Sequence, residues 1–240
     1  MRYLPLFILF ILGTMSMDIL AQSNPAELLS QSINYHDPLG VWNKSKCTFF
    51  IKETRPDAED RHTRILIDHK KDAYILEQLR EGQKIKMQIK KGKTKIWFND
   101  KEEIDTTIIK KYRLTAERAL TMKNYYTYLY SLPMRLKNDG GHIDPEIIES
   151  EFNAKKVLTI KVTYPPEIGN DTWYFYFAPD TKQLVGYRFY HDEQKNDGEF
   201  IVLEGTTQVG SFILPQKRSW YTNDKKEFLG TDLLVDSFNN

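Results

Sequence analysis

Cysteine is almost absent from this sequence, and neither sign of charge prevails. The 240 residues include a single Cys, Cys47, so no internal disulfide can form and the fold must be stabilised by its packed core. The 34 Lys and Arg residues nearly balance the 33 Asp and Glu residues, which leaves a formal net charge of +1. A protein that binds nucleic acid usually carries a clear basic excess, so we expect no nucleic-acid partner.

The residue patterns of common metal and catalytic sites are missing as well. The five His residues are isolated along the chain, and no His or Cys pair has the spacing of a structural zinc site. There is no nucleophile elbow of the serine hydrolases and no glycine-rich phosphate loop. These absences favour a binding protein over an enzyme, and they lead us to expect no catalytic residue, no metal and no cofactor.

The long apolar run of the sequence lies near its N-terminus. Residues 4–12 are apolar, Arg2 precedes them, and small and polar residues follow up to a plausible cleavage position at Ala21. This is the layout of a secretory signal peptide, and the run is shorter than the ~20 residues of a membrane span. We therefore expect a signal peptide at residues 1–21 and a single domain at residues 22–240. Because no Cys lies near the cleavage position, the predicted location is periplasmic or secreted without a lipid anchor.

Aromatic residues, by contrast, are plentiful, with 14 Tyr and 13 Phe, and their broad rings favour strands. Alternation of apolar and polar residues, as in KIKMQIK at 84–90, is typical of half-buried strands. We predict about ten or more antiparallel strands in two blocks. Asn24 and Pro25 indicate a helix before the first block, and Thr115 indicates a second helix, reaching about Tyr130, between the blocks.

The segment TWYFYFAP carries aromatic residues on both faces of one predicted strand. Trp173, Phe175 and Phe177 share one face, and Tyr174 and Tyr176 share the other. A strand that is apolar on both faces is usually covered on both. A large meander curled around an apolar concavity, with helices packed against it, satisfies this condition, and so does a closed barrel or a two-sheet sandwich.

The order of these elements resembles the outer-membrane lipoprotein carriers, the LolA/LolB-like proteins. The segment that carries the resemblance is KVLTIKVTYPPEIGNDTWYFYFAPDTKQLVGYRFYHDEQKNDGEFIVLEGT, in which a strand, a hairpin of the form W-Y/F-x-F-x-P-x-T and another strand follow in the same order. With GYRFYHDE, WYTN and LGTD, the chain looks like an uncharacterised family of exported bacterial proteins of this type. The resemblance implies a mainly β fold with accessory helices (α+β), in which a large curled antiparallel sheet, or half-barrel, holds acyl chains under helices that cover its concave face.

The resemblance also gives weight to a set of aromatic residues that would otherwise be assigned to the core. Their rings could line a ligand cavity. His191 ends a predicted strand on the face of Tyr187 and Phe189, where its imidazole could hydrogen-bond a ligand head group. The candidate ligand-binding residues are Trp97, Trp173, Phe175, Tyr187, Phe189, His191 and Trp220.

Two charged stretches are better explained by turns and edges than by sites. HDEQKNDGE at 191–199 offers several carboxylates, but their spacing does not fit a calcium loop, and Asn, Asp and Gly commonly form turns. We interpret it as a hairpin tip without a bound metal. The Lys-rich segment at 84–95 is typical of a protected sheet edge, with contact to an anionic membrane surface as the alternative.

Taken together, these patterns predict an exported cell-envelope binding or carrier protein. It would hold a hydrophobic or amphiphilic ligand, such as a lipid, an acyl chain or a lipoprotein, and act as a monomer. An envelope protein or a membrane surface could be a second partner. Two alternatives remain open from the sequence: an envelope hydrolase that uses His191 with nearby carboxylates, and a non-catalytic scaffold for protein interaction.

Overall fold

The computed structural model describes residues 24–238, and a twelve-stranded antiparallel sheet dominates them. The predicted signal peptide at residues 1–21 lies outside the described residues. The helices are α1 (Pro25–His36), α2 (Thr106–Tyr112) and α3 (Ala116–Ser131). The strands are β1 (Lys46–Thr54), β2 (Arg61–Asp68), β3 (Ala73–Arg80), β4 (Gln83–Lys90), β5 (Lys93–Phe98), β6 (His142–Phe152), β7 (Lys155–Thr163), β8 (Thr172–Phe177), β9 (Leu184–Tyr190), β10 (Glu199–Glu204), β11 (Thr207–Val209), β12 (Phe212–Leu214), β13 (Lys217–Thr222) and β14 (Phe228–Val235).

The sheet joins the first and last strands of the chain in its middle. Its order is β5-β4-β3-β2-β1-β14-β13-β10-β9-β8-β7-β6, while β11 and β12 form a separate hairpin. Residues 50–54 of β1 lie opposite residues 231–235 of β14. The two edges are β5 and β6, so the segment between them, which contains α2 and α3, must pass from one edge of the sheet to the other.

Three elements cover the inner, concave face of the sheet. Helix α3 packs along it, and α1 and the β11–β12 hairpin join the same core. Burial of this apolar surface is the main source of stability, since the fold has no disulfide. The buried apolar and aromatic side chains from these elements are Leu28, Leu29, Ala119, Tyr126, Leu129, Tyr130, Phe212 and Leu214.

The two predicted helices are confirmed, together with their caps. The side chain of Asn24 accepts a hydrogen bond from the Glu27 N–H at 2.8 Å, and that of Thr115 accepts one from the Arg118 N–H at 3.1 Å. Such caps satisfy N–H groups that have no partner within the helix. On the outer side of α3, Leu120 is 50% exposed.

The prediction of a single helix between the blocks was also wrong, because α2 precedes α3. Asp105 caps α2 by accepting a hydrogen bond from the Thr107 N–H at 2.7 Å, and Arg113 ends it in the left-handed conformation. The helix has seven residues and includes β-branched side chains, which favour helices less than straight ones do. It forms because it buries Tyr112 against the sheet.

Strand β6 has no clear strand pattern in the sequence. Its segment HIDPEIIESEF contains Pro145, which has no N–H to donate to a neighbouring strand. The strand lies at the sheet edge, and its pairing with β7 shifts register between Ile143 and Ile147. Proline is tolerated in such an edge strand and beside such a bulge, so the segment forms a strand although its pattern is weak.

The mainly β architecture with an open, curled sheet is confirmed. In β4 the predicted alternation holds, since Ile85, Met87 and Ile89 are at most 4% exposed while Lys84 and Lys90 face solvent. The sheet does not close, because β5 and β6 are unpaired edges. Within residues 24–238, no helix has the length and apolar character needed to cross a membrane.

Candidate functional site

A cavity lies on the concave face, between α3 and the strands of the second block. Its volume is about 490 Å³, within the range of about 300–1,000 Å³ that is common for small-molecule sites. We call it the aromatic cavity, because ring-bearing side chains form much of its wall. It is lined by Arg55, Tyr125, Tyr128, Leu129, Trp173, Tyr187, Phe189, Glu199, Ile201, Trp220, Leu229 and Gly230.

Four of the seven candidate residues lie in this wall, and strand alternation explains why they meet. Trp173 on β8, together with Tyr187 and Phe189 on β9, points to the concave face. The centroids of the Trp173 and Phe189 rings are 4.9 Å apart, and Trp220 on β13 completes the set. Phe175, which is 0% exposed, lies against Trp173 and Tyr187 outside the lining, so it supports the wall.

Trp97 lies on the opposite face of the sheet, contrary to its assignment to the cavity. Its neighbours Ile96 and Phe98 on β5 pack against the core, so alternation turns Trp97 outward. There it lies beneath the ammonium groups of Lys86 and Lys95, at 5.4 and 5.8 Å from the ring centroid. The Lys-rich segment thus belongs to the solvent-facing side of an edge hairpin.

His191 lies at the exposed end of β9 rather than in the aromatic cavity. Its side chain is 62% exposed, and Nδ1 is 2.6 Å from Oδ1 of Asp171. The hydrogen bond to Asp171 raises the pKa of His191, and the charges of Asp171, Asp197 and Glu199 act in the same direction. Its ring meets that of Phe189 edge-on at 5.3 Å, so it borders the cavity wall from outside.

The acidic stretch that begins at His191 is the connection between β9 and β10. Asp192 accepts a hydrogen bond from the Gln194 N–H at 3.0 Å, and Asp197 accepts one from the Asp192 N–H at 2.7 Å. Lys195 pairs with Asp192 at 3.0 Å. The carboxylates are therefore used in shaping the turn, and no group of three or more His, Cys, Asp or Glu in residues 24–238 is arranged to hold a metal ion.

A row of polar side chains crosses the concave face next to the cavity. The strand register places Arg218 opposite Asp232, Asp232 opposite Glu53, and Glu53 opposite Arg61. Arg218, Asp232 and Glu53 are each at most 2% exposed. Charged groups are rarely buried to this extent unless they are paired and hydrogen-bonded.

Hydrogen bonds satisfy Glu53 from three directions. Tyr126 of α3 donates to Oε1 at 2.7 Å, Thr63 donates to Oε2 at 2.6 Å, and Gln78 donates to Oε2 at 3.1 Å. Through the Tyr126 contact, the Glu53 carboxylate attaches α3 to the centre of the sheet, and α3 covers the concave face on both sides of this contact.

Arg55 connects this polar row to the cavity. Its guanidinium donates to Asp232 Oδ1 at 2.8 Å and lies 3.7 Å from Glu53 and 5.6 Å from the centroid of Trp220. A Cβ atom at Gly230 would be 2.5 Å from Cδ of Arg55, so glycine at that position gives Arg55 room against β14. Burial raises the pKa of Asp232 to about 6, with a further increase from Glu53 and an opposing effect of Arg55.

A second cavity of about 360 Å³ lies further along the same face, between α3 and strands β1–β4. Arg55 and Tyr125 line both cavities, so the two adjoin. We call it the arginine cavity. Four of its lining residues are Arg55, Arg61, Arg80 and Arg118, and others are Glu53, Gln78, Tyr112 and Tyr126.

Neither the polar row nor the arginine cavity was predicted from the sequence. The signal that could have revealed them is a charged residue at an inward position of an alternating strand, such as Glu53 after Phe49 and Ile51, or Asp232 before Leu234. The strand register across the sheet, which brings these positions together, depends on the β1–β14 pairing and is not visible in the local pattern.

Comparison with solved structures identifies the fold. The structure of a LolA superfamily protein from Nitrosomonas europaea superposes with a TM-score of 0.53 at 8% identity, covering 91% of this chain and 94% of that one. A structure from Vibrio parahaemolyticus, whose name refers to an outer membrane lipoprotein-sorting domain, gives 0.50 at 8% identity, with 87% and 90% coverage. At these identities the likeness establishes the fold, and the resemblance found in the sequence is confirmed at that level.

No curated protein matches the sequence. One family model matches residues 6–237, nearly the whole chain, and its description is a family of unknown function, DUF6503. On this match, and with a sheet of the LolA type, the chain is a member of the DUF6503 family.

Proposed function

We propose that this protein binds and carries an apolar or amphiphilic ligand in its aromatic cavity. The observation that carries the proposal is the cavity itself. Rings from β8, β9 and β13 face α3 across a space of about 490 Å³. Apolar walls of this size favour an apolar guest, because its transfer out of water is favourable in proportion to the area buried.

Helix α3 is the element that would control access to the ligand. Tyr125, Tyr128 and Leu129 of α3 form one side of the cavity. The helix is attached to the sheet at Glu53 through Tyr126, and Tyr130 stacks on Phe49 at 4.5 Å. A displacement of the side chains between these attachment points would open the cavity without unfolding the sheet.

We also propose that the protein is exported and acts in the cell envelope as a single 22–240 domain. The N-terminal pattern supports cleavage near Ala21. The name of the Vibrio structure refers to outer membrane lipoprotein sorting, and a lipoprotein is accordingly one candidate ligand. A membrane surface or an envelope protein would then deliver or receive the ligand.

Quenching of tryptophan fluorescence by a bromine-labelled acyl chain tests the carrier function. The chain has four Trp residues; Trp173 and Trp220 line the cavity and Trp97 lies on the outer face. Titration with a brominated fatty acid should quench the wild type. The Trp173→Phe/Trp220→Phe variant should lose most of this quenching, whereas Trp97→Phe should keep it.

The same titration can contradict the proposal in two ways. Absence of saturable quenching in the wild type would rule out an acyl-chain ligand. Quenching that is retained in Trp173→Phe/Trp220→Phe and lost in Trp97→Phe would place the ligand on the outer face instead.

A further inference from the structure

We propose that the arginine cavity binds the anionic head group of an amphiphile whose apolar tail occupies the aromatic cavity. This inference rests on the proposed carrier function and narrows its ligand to a phosphate- or carboxylate-bearing amphiphile. It follows from the adjacency of the two cavities and from the difference in what lines them.

The two cavities form neighbouring compartments on one face of the sheet. Arg55 and Tyr125 belong to the walls of both, so a ligand of moderate length can extend from one into the other. Aromatic and aliphatic side chains dominate the first wall, whereas the second carries four guanidinium groups. A molecule with one apolar end and one anionic end matches this division.

Two of the four arginines have no acidic partner in the part of the chain that the structure describes. Arg55 is paired with Asp232 at 2.8 Å and Arg80 with Glu81 at 3.2 Å. Among residues 24–238, no carboxylate lies within ion-pair distance of Arg61 or Arg118. Their donors are therefore available to a ligand.

The electrostatic environment of Arg118 favours an incoming anion. Partial burial lowers its pKa, and the positive charges of Arg113, Arg61 and Arg80 act in the same direction. Like charges held together at a partly desolvated site repel one another. An anion placed among them would relieve that repulsion, which makes its binding more favourable than at a single exposed arginine.

The acidic residues of the two cavities reinforce the same orientation of the ligand. Glu53 borders the arginine cavity, but Tyr126, Thr63 and Gln78 already donate hydrogen bonds to it. Glu199 is the acidic residue of the aromatic cavity, and burial raises its pKa. An anionic head group therefore finds its cationic partners among the arginines, whereas the Glu199 carboxyl group of the aromatic cavity offers it no positive charge and repels it when ionised.

Guanidinium groups also suit the chemistry of the proposed head group. Their planar donors match two oxygens of a phosphate or a carboxylate, and hydrogen bonds between ionised partners are shorter and stronger than neutral ones. Arg61 at the start of β2 and Arg118 in the first turn of α3 approach the cavity from the sheet and from the helix. A head group between them would join the two elements.

The test compares three probes: dodecyl phosphate has both an apolar tail and an anionic head group, dodecanol has the tail alone, and inorganic phosphate has the anion alone. Each probe is titrated below its aggregation concentration. We expect the wild type to bind dodecyl phosphate more tightly than dodecanol and inorganic phosphate weakly. The Arg61→Gln/Arg118→Gln variant should lose at least about tenfold in affinity for dodecyl phosphate and keep its affinity for dodecanol.

A matched control removes two positive charges from the outer face. Arg64 lies on β2 with Arg61, and Lys86 lies on β4; both pair with Glu77, at 2.7 and 3.2 Å. The Arg64→Gln/Lys86→Gln variant should bind all three probes as the wild type does. Thermal unfolding of each variant checks that the fold is retained.

The outcomes separate this inference from the carrier function. Equal wild-type affinity for dodecyl phosphate and dodecanol, or equal losses in the two double variants, would overturn the head-group site and leave the carrier function intact. Inorganic phosphate binding as tightly as dodecyl phosphate would indicate a free-anion site and overturn the amphiphile. Binding of none of the probes would overturn the carrier function and this inference with it.

Discussion

At the scale of single residues, Asp232 and Glu53 form an unusual pair for the middle of a sheet. They face each other across β14 and β1, and each is at most 2% exposed. Two carboxylates at such a position favour binding of a proton, because burial disfavours charge and neighbouring negative charges repel. The guanidinium of Arg55 offsets part of this cost by pairing with Asp232 at 2.8 Å.

The Asp232→Asn variant should reveal how the free-energy cost of the buried Asp232 carboxylate depends on pH. The folded-state pKa of Asp232 is raised from 3.8 to about 6, so the native state binds the proton more tightly than the unfolded state. Protonation of Asp232 therefore contributes its full stabilisation of the wild type below about pH 3.8, and this contribution is lost as pH rises through 6. Relative to the wild type, the free energy of unfolding of Asp232→Asn should rise by about 3 kcal/mol between pH 3.5 and pH 7.5.

Chemical denaturation at a series of pH values measures this difference. The control is Asp100→Asn, since the Asp100 side chain is 85% exposed and its replacement should follow the wild type at every pH. A stability difference for Asp232→Asn that is independent of pH would show that the pKa of Asp232 is the same in the folded and the unfolded protein, and would contradict this prediction.

At the scale of elements, one histidine fixes α1 to the rest of the fold. His36, the last residue of α1, lies with Nδ1 2.6 Å from the carbonyl oxygen of Ile213 in β12, and its Nε2 accepts from the Leu184 N–H of β9 at 3.1 Å. Only a neutral imidazole can donate at one nitrogen and accept at the other. Burial lowers the pKa of His36 to about 4, which keeps it neutral.

This arrangement predicts acid sensitivity of the α1 attachment. The folded-state pKa is below the unfolded value of 6.5, so protons bind more readily to the unfolded chain between about pH 6.5 and pH 4. The wild type should lose on the order of 3 kcal/mol from this group as pH falls through that window. In His36→Gln, whose amide can both donate and accept, that loss should be absent.

The comparison is made as a difference in unfolding free energy between the variant and the wild type at each pH, so the opposite contribution of Asp232 cancels. His142→Gln, at an exposed position on β6, serves as the control. If His36→Gln and His142→Gln shift stability by the same amount at pH 7 and pH 4.5, His36 is not the acid-sensitive contact.

Elements with a strong local signal could be predicted from the sequence, and those held by tertiary contacts could not. β4 shows strict alternation, and α3 begins at a capping Thr115, so both were found. β6 is an edge strand with few buried residues and an internal Pro145, which leaves little pattern to detect. The placement of Trp97 failed for a related reason, since alternation shows which residues share a face but not which face is covered.

At the scale of the whole molecule, the order of strands in the sheet differs from their order in the chain, and this difference joins the two strand blocks. The first block, β1–β5, and the second, β6–β14, meet through β1 and β14 at the centre of the sheet. Helix α3 then contacts both, with Tyr126 bonded to Glu53 in the first block and Tyr128 packed on Trp173 in the second, 5.6 Å between ring centroids. One core therefore serves both cavities.

We therefore expect residues 24–238 to unfold as one cooperative unit rather than block by block. Two variants test this, and both lack Trp220 and Trp42, which lies between α1 and β1. One variant keeps only Trp97, on β5 of the first block, and the other keeps only Trp173, on β8 of the second block. In each, the urea transition of the remaining tryptophan should coincide with the loss of far-ultraviolet circular dichroism, as two-state unfolding requires. A tryptophan signal that changes at a lower urea concentration than the dichroism would mean that the β1–β14 pairing does not couple the blocks, and the protein would then consist of two separately stable halves.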